Sequence, residues 1–142
     1  MDAQPDPRQA FSAVPFMHLL GVTREFSEGG RARLTVDTRP ELENYIHAMH
    51  GGVVATLVDV VMASAAVSRI DFAKTAVTLT MNTSYLQPGR GRLTADGEVI
   101  SVDDDGDVVQ CQARVTDAQG AVVAHSIGSF RYLAHQRTAQ TT

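Results

Sequence analysis

One apolar stretch, Gly51 to Ser68, constrains the fold more than any other part of this sequence. It is too long for one ordinary strand, and its alanines favour a helix although its valines do not. We therefore predict a helix that is apolar almost all round and that lies buried in the molecule. Because Asp59 interrupts the stretch, which is also at the short limit for a membrane span, a membrane helix is not expected.

Strand patterns flank this helix on both sides in the sequence. Before it, Gly21 to Phe26 and Arg31 to Val36 are predicted to form two strands joined by a glycine turn. After it, turn signals such as Pro88-Gly89 separate four further strands, of which the last three are predicted to form an antiparallel meander. The chain is therefore predicted to be α+β, with about six strands and one long helix. The four later strands are about Thr75 to Leu86, Leu93 to Val102, Val108 to Asp117 and Ala121 to Tyr132.

The segments around these elements are less regular. The stretch from Phe11 to Leu20 is predicted to form a short helix, with Phe16, Leu19 and Leu20 facing inward. Asp37 to His50 is predicted to be a loop. The polar ends, about residues 1–10 and 134–142, are expected to be frayed.

Length and composition limit the classes of function. A chain of 142 residues suits a single domain spanning residues 1–142. Its net charge of -4 argues against nucleic-acid binding, because phosphate contacts need clustered Lys and Arg. The one cysteine, Cys111, excludes an intrachain disulfide and a cysteine-based zinc site, and no metal or cofactor is expected. The first residues lack the pattern of a secretory signal, so a cytoplasmic location is expected.

Asp59 is the only ionisable residue between His50 and Arg69. An unpaired carboxylate in an apolar setting is costly, so a sequence keeps one only with compensation or for use. We interpret Asp59 as a candidate catalytic group. The alternative is structural: Gly52 to Val58 would form a strand, and Asp59 would cap a helix that starts there.

Gly51 and Gly52 stand at the predicted start of the helix. Glycines let a ligand approach the backbone closely, and the free N–H groups of a first helical turn favour negative charge. A developing oxyanion requires such hydrogen-bond donors, although a simple joint between a loop and a helix would use the same two glycines.

Asp59 would lie about 12 Å further along the helix, too far to reach a carbonyl held at the N-terminus of the same helix. If two such helices packed antiparallel about a twofold axis, the N-terminus of each would face Asp59 of the other chain. A homodimer with shared active sites is therefore expected.

Several short motifs together resemble a known family. They are Asn44, His50-Gly51-Gly52, Leu57-Val58-Asp59, Val77 to Asn82 and Tyr85 to Pro88. The pattern is similar to that of the hotdog acyl-CoA thioesterases of the phenylacetate-pathway type, and the order of strands and helix is similar from about residue 16 to residue 132. The resemblance implies a hotdog fold, in which a curved antiparallel sheet wraps one long helix. It also implies acyl-CoA as the substrate, hydrolysis as the reaction, and dimers that pair into tetramers.

The resemblance also implies a role for each matching residue. Asp59 corresponds to the family's general base or nucleophile, and Gly51 to the residue whose backbone N–H contacts the thioester oxygen. Asn44 would help to place the carbonyl or the water. Thr78 stands where some relatives have a serine that assists the aspartate, although a β-branched threonine has fewer rotamers. His50 is expected to shape the turn rather than to transfer protons, because its sequence neighbours offer no orienting carboxylate.

Other features leave alternatives open. Arg90 and Arg92 lie on a glycine-rich turn that is either a solvated hairpin or a binding place for the phosphates of coenzyme A. Gly52 is expected to contact the substrate beside Gly51. A hotdog acyl-thioester dehydratase, which would rely on a histidine beside a carboxylate, and a non-catalytic acyl-CoA binding protein are the alternative functions. The depth of the acyl pocket is expected to depend on residues such as Phe16, Leu57, Met62 and Met81.

Overall fold

The computed structural model describes residue 6 and residues 8–135. Its strands are β1 Thr23–Glu28, β2 Arg31–Asp37, β3 Thr75–Tyr85, β4 Arg92–Val102, β5 Val108–Thr116 and β6 Val122–Leu133. Its helices are α1 Pro15–Leu20, α2 Gly51–Arg69 and two short 3-10 helices, Ala10–Ala13 and Pro40–Leu42. The strands form one six-stranded antiparallel sheet in the order β1-β2-β4-β5-β6-β3. Most residues of the ends that were expected to be frayed lie outside the described part of the chain.

The long helix and the sheet confirm the predicted hotdog architecture. Helix α2 is continuous from Gly51 to Arg69, so the alternative in which Asp59 caps a shorter helix is wrong. The meander of β4, β5 and β6 is present as predicted. Because α2 contacts all six strands, the sheet curves around it.

The core lies between α2 and the sheet. Leu57, Val58, Val61 and Met62 of the helix are fully buried there. Each large apolar side chain that is removed from water in this way contributes roughly 1.5–3 kcal/mol. Helix α2 also has the length and hydropathy of a membrane span, but its packing against the sheet is that of a core helix.

Gly97 on β4 lets α2 approach the sheet closely. A Cβ atom at this position would lie 2.8 Å from the carbonyl oxygen of Val61. The obstacle is helix backbone, which cannot move aside as the end of a flexible side chain can. The present separation of helix and sheet therefore requires a glycine at position 97.

The sheet covers only one side of α2. Thr56, Asp59, Ala63 and Val67 follow one another at helical spacing and all remain partly exposed. Strand β3 forms the neighbouring edge of the sheet, and most of its residues are exposed. The prediction that the helix is buried therefore holds for its sheet side only. This exposed stripe of α2 and strand β3 together are called the open face below.

The segment before β1 differs from its prediction. It is divided into a 3-10 helix and α1, and Pro15 stands at the start of α1. Met17 and Leu20 are the buried residues of α1, whereas Phe16 and Leu19 are 49% and 68% exposed. A proline readily begins a new helix, and this restart changes the rotational phase of the segment. The inward positions expected for Phe16 and Leu19 are therefore wrong.

Replacing Gly97 by valine is expected to lower the free energy of unfolding by about 1–3 kcal/mol, because the new side chain overpacks the helix–sheet contact. Chemical denaturation followed by circular dichroism measures the change. Ser101→Val adds the same side chain at an exposed position of β4, and it should change stability by less than about 0.5 kcal/mol. Equal stability of the two variants would contradict the requirement for glycine.

Candidate active site

Asp59 lies partly exposed on the open face, near the middle of α2. The Thr78 hydroxyl on β3 donates a hydrogen bond to its Oδ1 atom at 2.5 Å. Among the described residues, Thr78 is the only hydrogen-bond partner of this carboxylate, and no cation forms an ion pair with it. The hydrogen bond fixes one oxygen, and the other oxygen has no protein partner within this part of the chain.

A groove of about 910 Å³ lies beside Asp59. Its walls are the exposed stripe of α2, the first residues of β3 and the segment before α1. On the helix side, Val60 and Ala63 give it an apolar surface. Leu57 and Met62, which were expected to set the pocket depth, are instead fully buried under the sheet. Because α2 is apolar almost all round, its sequence does not by itself show which face the sheet will cover.

His50 closes the start of α2. Its Nδ1 atom accepts a hydrogen bond from the Gly52 N–H at 2.9 Å, and its carbonyl oxygen accepts the N–H groups of Val53 and Val54. A Cβ atom at position 52 would lie only 3.1 Å from this Nδ1 atom, so the cap favours glycine there. Within the described residues, the Gly51 N–H is the one donor of this turn that has no acceptor.

Asn44 braces the loop that leads into α2. Its Oδ1 atom accepts hydrogen bonds from the N–H groups of Ile46 at 3.0 Å and Ala48 at 3.1 Å. The His50 N–H then donates to the Leu42 carbonyl oxygen at 2.7 Å, which fixes the chain just before the helix. The Asn44 oxygen is therefore committed to the loop, and only its side-chain NH2 group is left to contact a ligand.

Strand β3 reaches both parts of the site. Thr78 near its start contacts Asp59, and the Tyr85 hydroxyl at its end donates to the Gly51 carbonyl oxygen at 3.3 Å. Seven positions separate these residues, which would put them on opposite faces of a regular strand. A β-bulge between Thr78 and Thr80 brings both to the helix side. Tyr85 is absent from the site residues predicted from sequence, because no local signal shows this bulge.

Two arginines near the start of β4 have different partners. Arg92 forms a bidentate ion pair with Asp37, with distances of 2.9 and 3.0 Å. Hydrogen bonding from Arg92 holds the pKa of Asp37 below its ordinary value. Arg90 donates to the Ile46 carbonyl oxygen at 3.1 Å and has no carboxylate partner among the described residues. Arg90 is therefore more available to a phosphate than Arg92.

Within one chain, the candidate residues form two separate groups. Asp59 and Thr78 form one group, beside the groove. Gly51 forms the other, together with His50, Tyr85 and the loop braced by Asn44. Asp59 lies eight positions after Gly51 in α2, or about 12 Å further along the helix axis. An aspartate side chain is too short to bridge that distance.

Cys111 on β5 is buried, and burial raises the pKa of its thiol to about 12. The thiolate is the reactive form and is disfavoured away from water, so alkylation of the native protein at about pH 8 is expected to be negligible. Intact-mass measurement after treatment with iodoacetamide tests this, with the protein unfolded in urea as the positive control. Rapid modification of the native protein would contradict the buried position of Cys111.

Comparison with known sequences gives matches over most of the chain. The model of a protein family described as "Domain of unknown function (DUF4442)" matches residues 8–128. A candidate esterase of Halobacterium salinarum is 34% identical over 124 residues, which cover 81% of this chain and 82% of the relative. The family match includes the two groups of candidate residues and most of the sheet.

Solved structures share the fold. A thioesterase family protein from Silicibacter pomeroyi has a TM-score of 0.82 at 21% identity, covering 91% of this chain and 96% of its own. The PaaI protein from the phenylacetic acid degradation operon of E. coli has a TM-score of 0.80 at 20% identity, covering 93% of this chain and 97% of its own. At these identities the similarity establishes the fold alone, which is the hotdog arrangement of a curved antiparallel sheet around one long helix.

Proposed function

Because the chain belongs to the DUF4442 family and has the hotdog fold of the thioesterase superfamily, we propose that it hydrolyses acyl-CoA thioesters to a free acid and coenzyme A. The observation that carries the proposal is the Asp59 carboxylate, which lies beside a large groove and has one oxygen without a partner among the described residues. A positioned carboxylate and a free backbone donor are the groups that thioester hydrolysis needs. The esterase description of the Halobacterium salinarum relative supports a hydrolase.

The proposed enzyme is a homodimer in which two chains complete each active site. Two α2 helices packed antiparallel about a twofold axis would bring each Gly51 N–H to the partner subunit's Asp59. The edge of β3 offers unpaired backbone groups for the same contact. Dimerisation would also cover the exposed apolar side chains of this strand, and two such dimers would pair into a tetramer. The exposed apolar residues of β3 include Val77, Leu79, Met81 and Tyr85.

The proposed reaction follows from these positions. The thioester carbonyl oxygen accepts a hydrogen bond from the Gly51 N–H, which stabilises the negative charge that develops on that oxygen. Asp59 takes a proton from the water that attacks the carbonyl carbon, or attacks this carbon itself to form a mixed anhydride that water then opens. The C–S bond breaks, coenzyme A leaves as a thiolate, and the thiolate takes up a proton. Thr78 orients the carboxylate in either route.

The other residues are proposed to position the reactants. His50 holds the first turn of α2 by accepting the Gly52 N–H, which leaves the Gly51 N–H as the one donor of this turn without an acceptor in the described part of the chain. Asn44 offers its NH2 group to the carbonyl or to the water. Arg90 is proposed to bind a phosphate of coenzyme A, because it lies beside the braced loop and lacks a carboxylate partner among the described residues.

Asp59→Asn is expected to lower the rate of thiol release by at least about a hundredfold, because an amide cannot accept the proton from water or attack the thioester. The fold should survive, since the two side chains have the same shape. A thiol-release assay with aryl-acetyl, medium-chain and long-chain acyl-CoAs measures the rate, and circular dichroism measures the fold. Asp105→Asn, in an exposed turn, makes the same change of charge and is the control.

Three outcomes of this assay would overturn the proposal. Near-full turnover by Asp59→Asn would remove the carboxylate from the mechanism. Tight binding of acyl-CoA by the wild-type protein without thiol release would indicate a binding protein. A change in enoyl absorbance without thiol release would indicate a dehydratase.

Gly51→Pro tests the backbone donor, because proline lacks the N–H and is well suited to the first position of a helix. A Cβ atom at position 51 meets the Tyr85 ring at an ordinary contact distance of 3.6 Å. Gly51→Ala adds a Cβ atom but keeps the N–H, so it is the matched control. The proline variant is expected to lose at least about tenfold more of kcat than the alanine variant.

Mixed dimers test whether the sites are shared. Asp59→Asn and Gly51→Pro chains are each expected to be nearly inactive alone. When equal amounts are unfolded and refolded together, about a quarter of wild-type activity is expected, because half of the dimers are mixed and each mixed dimer has one intact site. A lack of recovery, or a fully active monomer on dilution, would contradict a site built from two chains.

A further inference from the structure

Two cationic side chains, Arg24 and Lys74, line the groove that begins at Asp59. Of the described residues that line this groove, Asp59 is the only acidic one. Neither cation has a carboxylate partner among the described residues. The Arg24 guanidinium instead donates to the Arg8 carbonyl oxygen and lies 5.4 Å from the centre of the Phe11 ring.

The surroundings of Arg24 favour an anionic ligand. Arg24 is partly buried, and this loss of hydration lowers the pKa of its guanidinium, while no carboxylate among the described residues offsets its charge. A desolvated guanidinium gains more from an anion than a fully hydrated one does, because the local dielectric constant is lower. Lys74 is exposed at the same groove and adds a flexible second charge.

The groove between Asp59 and these cations is mainly apolar. Lys74 precedes Thr78, the residue that holds Asp59, by four positions, so roughly 13 Å of extended chain separate the two ends. The groove thus offers a carboxylate, then an apolar lining, then two cations. A ligand that matches this order has a reacting carbonyl at one end, an apolar body, and an anion at the other end. The apolar lining includes Val60, Ala63, Val67 and Phe72.

We propose that this groove binds the acyl part of the thioester and that Arg24 and Lys74 select acyl groups that end in a carboxylate, such as medium-chain dicarboxylic acyl groups. The inference rests on the proposed thioester hydrolysis and adds its substrate class. A purely aliphatic chain would fill the apolar part of the groove but would leave Arg24 without a counter-charge. A chain with a terminal carboxylate satisfies both parts.

The phosphates of coenzyme A are the other source of an anion for these cations. The described structure already provides Arg90, beside the loop before Gly51, as a cation without a carboxylate partner. In the proposed dimer, the Gly51 and Arg90 that face a given Asp59 belong to the partner subunit. With coenzyme A directed toward the partner's Arg90, the acyl chain extends in the opposite direction, along the groove from Asp59. The test below separates the two sources by using thioesters that lack the nucleotide.

The test compares suberoyl-CoA with octanoyl-CoA, two substrates of equal chain length that differ in the terminal carboxylate. The wild-type protein is expected to prefer suberoyl-CoA in kcat/KM by roughly ten- to hundredfold, the effect of a charge-assisted hydrogen-bonded pair. In the Arg24→Gln/Lys74→Gln double variant this ratio should fall toward one. Arg24→Lys, which keeps the charge, should retain most of the preference. Arg131→Gln, an exposed arginine on β6 outside the groove, should leave the ratio unchanged.

The N-acetylcysteamine thioesters of suberate and octanoate separate the two sources of the anion. If the cations bind the acyl carboxylate, the preference for the suberoyl compound persists without the nucleotide and disappears in the double variant. If the cations bind coenzyme A, the double variant slows both CoA thioesters equally and leaves the truncated thioesters unaffected, which would overturn the inference. Equal rates with suberoyl and octanoyl substrates in the wild-type protein would also overturn it.

A binding measurement keeps this inference distinct from the proposed catalysis. Calorimetry on the Asp59→Asn variant compares the affinities of suberoyl-CoA and octanoyl-CoA in the absence of turnover. Tighter binding of suberoyl-CoA, lost on adding the Arg24→Gln/Lys74→Gln changes, supports carboxylate selection. Equal affinities would exclude it, whether or not the wild-type protein hydrolyses either compound.

Discussion

The structure depends on one constraint: a single curved sheet covers only one side of an apolar helix. Leu57, Val58, Val61 and Met62 fill the covered side and form the core. The other side stays open, and Asp59 lies on it. A carboxylate there avoids the cost of full burial, and it borders a groove large enough for a ligand. The same incomplete cover that leaves apolar surface exposed therefore creates the candidate site.

Strand β3 links this core arrangement to the chemistry. It forms the edge of the sheet beside the open stripe of α2, and it contacts the helix at two points. Thr78 bonds to Asp59, and Tyr85 bonds to the Gly51 carbonyl oxygen. A β-bulge between these two residues is what allows both side chains to face the helix. The edge strand thus contacts both groups of candidate residues.

Much of the fold and part of the candidate site could be predicted from sequence, because the signals are local. Alternating apolar residues and glycine turns predicted the strands, and the length of the apolar stretch predicted α2. The partner of Asp59 was anticipated from the resemblance, and the hydrogen bond from Thr78 agrees with it. Tyr85 and the Arg92–Asp37 pair were not anticipated, since both depend on contacts between residues far apart in the chain. Phe16 and Leu19 were misplaced because the restart at Pro15 shifted the helical phase.

The sequence by itself determined that a long apolar helix would begin after a His-Gly-Gly turn and that a single aspartate would interrupt it. Residue type and spacing along the chain are local properties, so the sequence contains both. Only the tertiary structure decided which face of that helix stays open. A helix that is apolar almost all round has too few polar residues to fix its rotation, so the sheet sets that rotation through packing, with Gly97 allowing the close approach to Val61. Packing of this kind is a property of the whole core, and no single segment of the chain contains it.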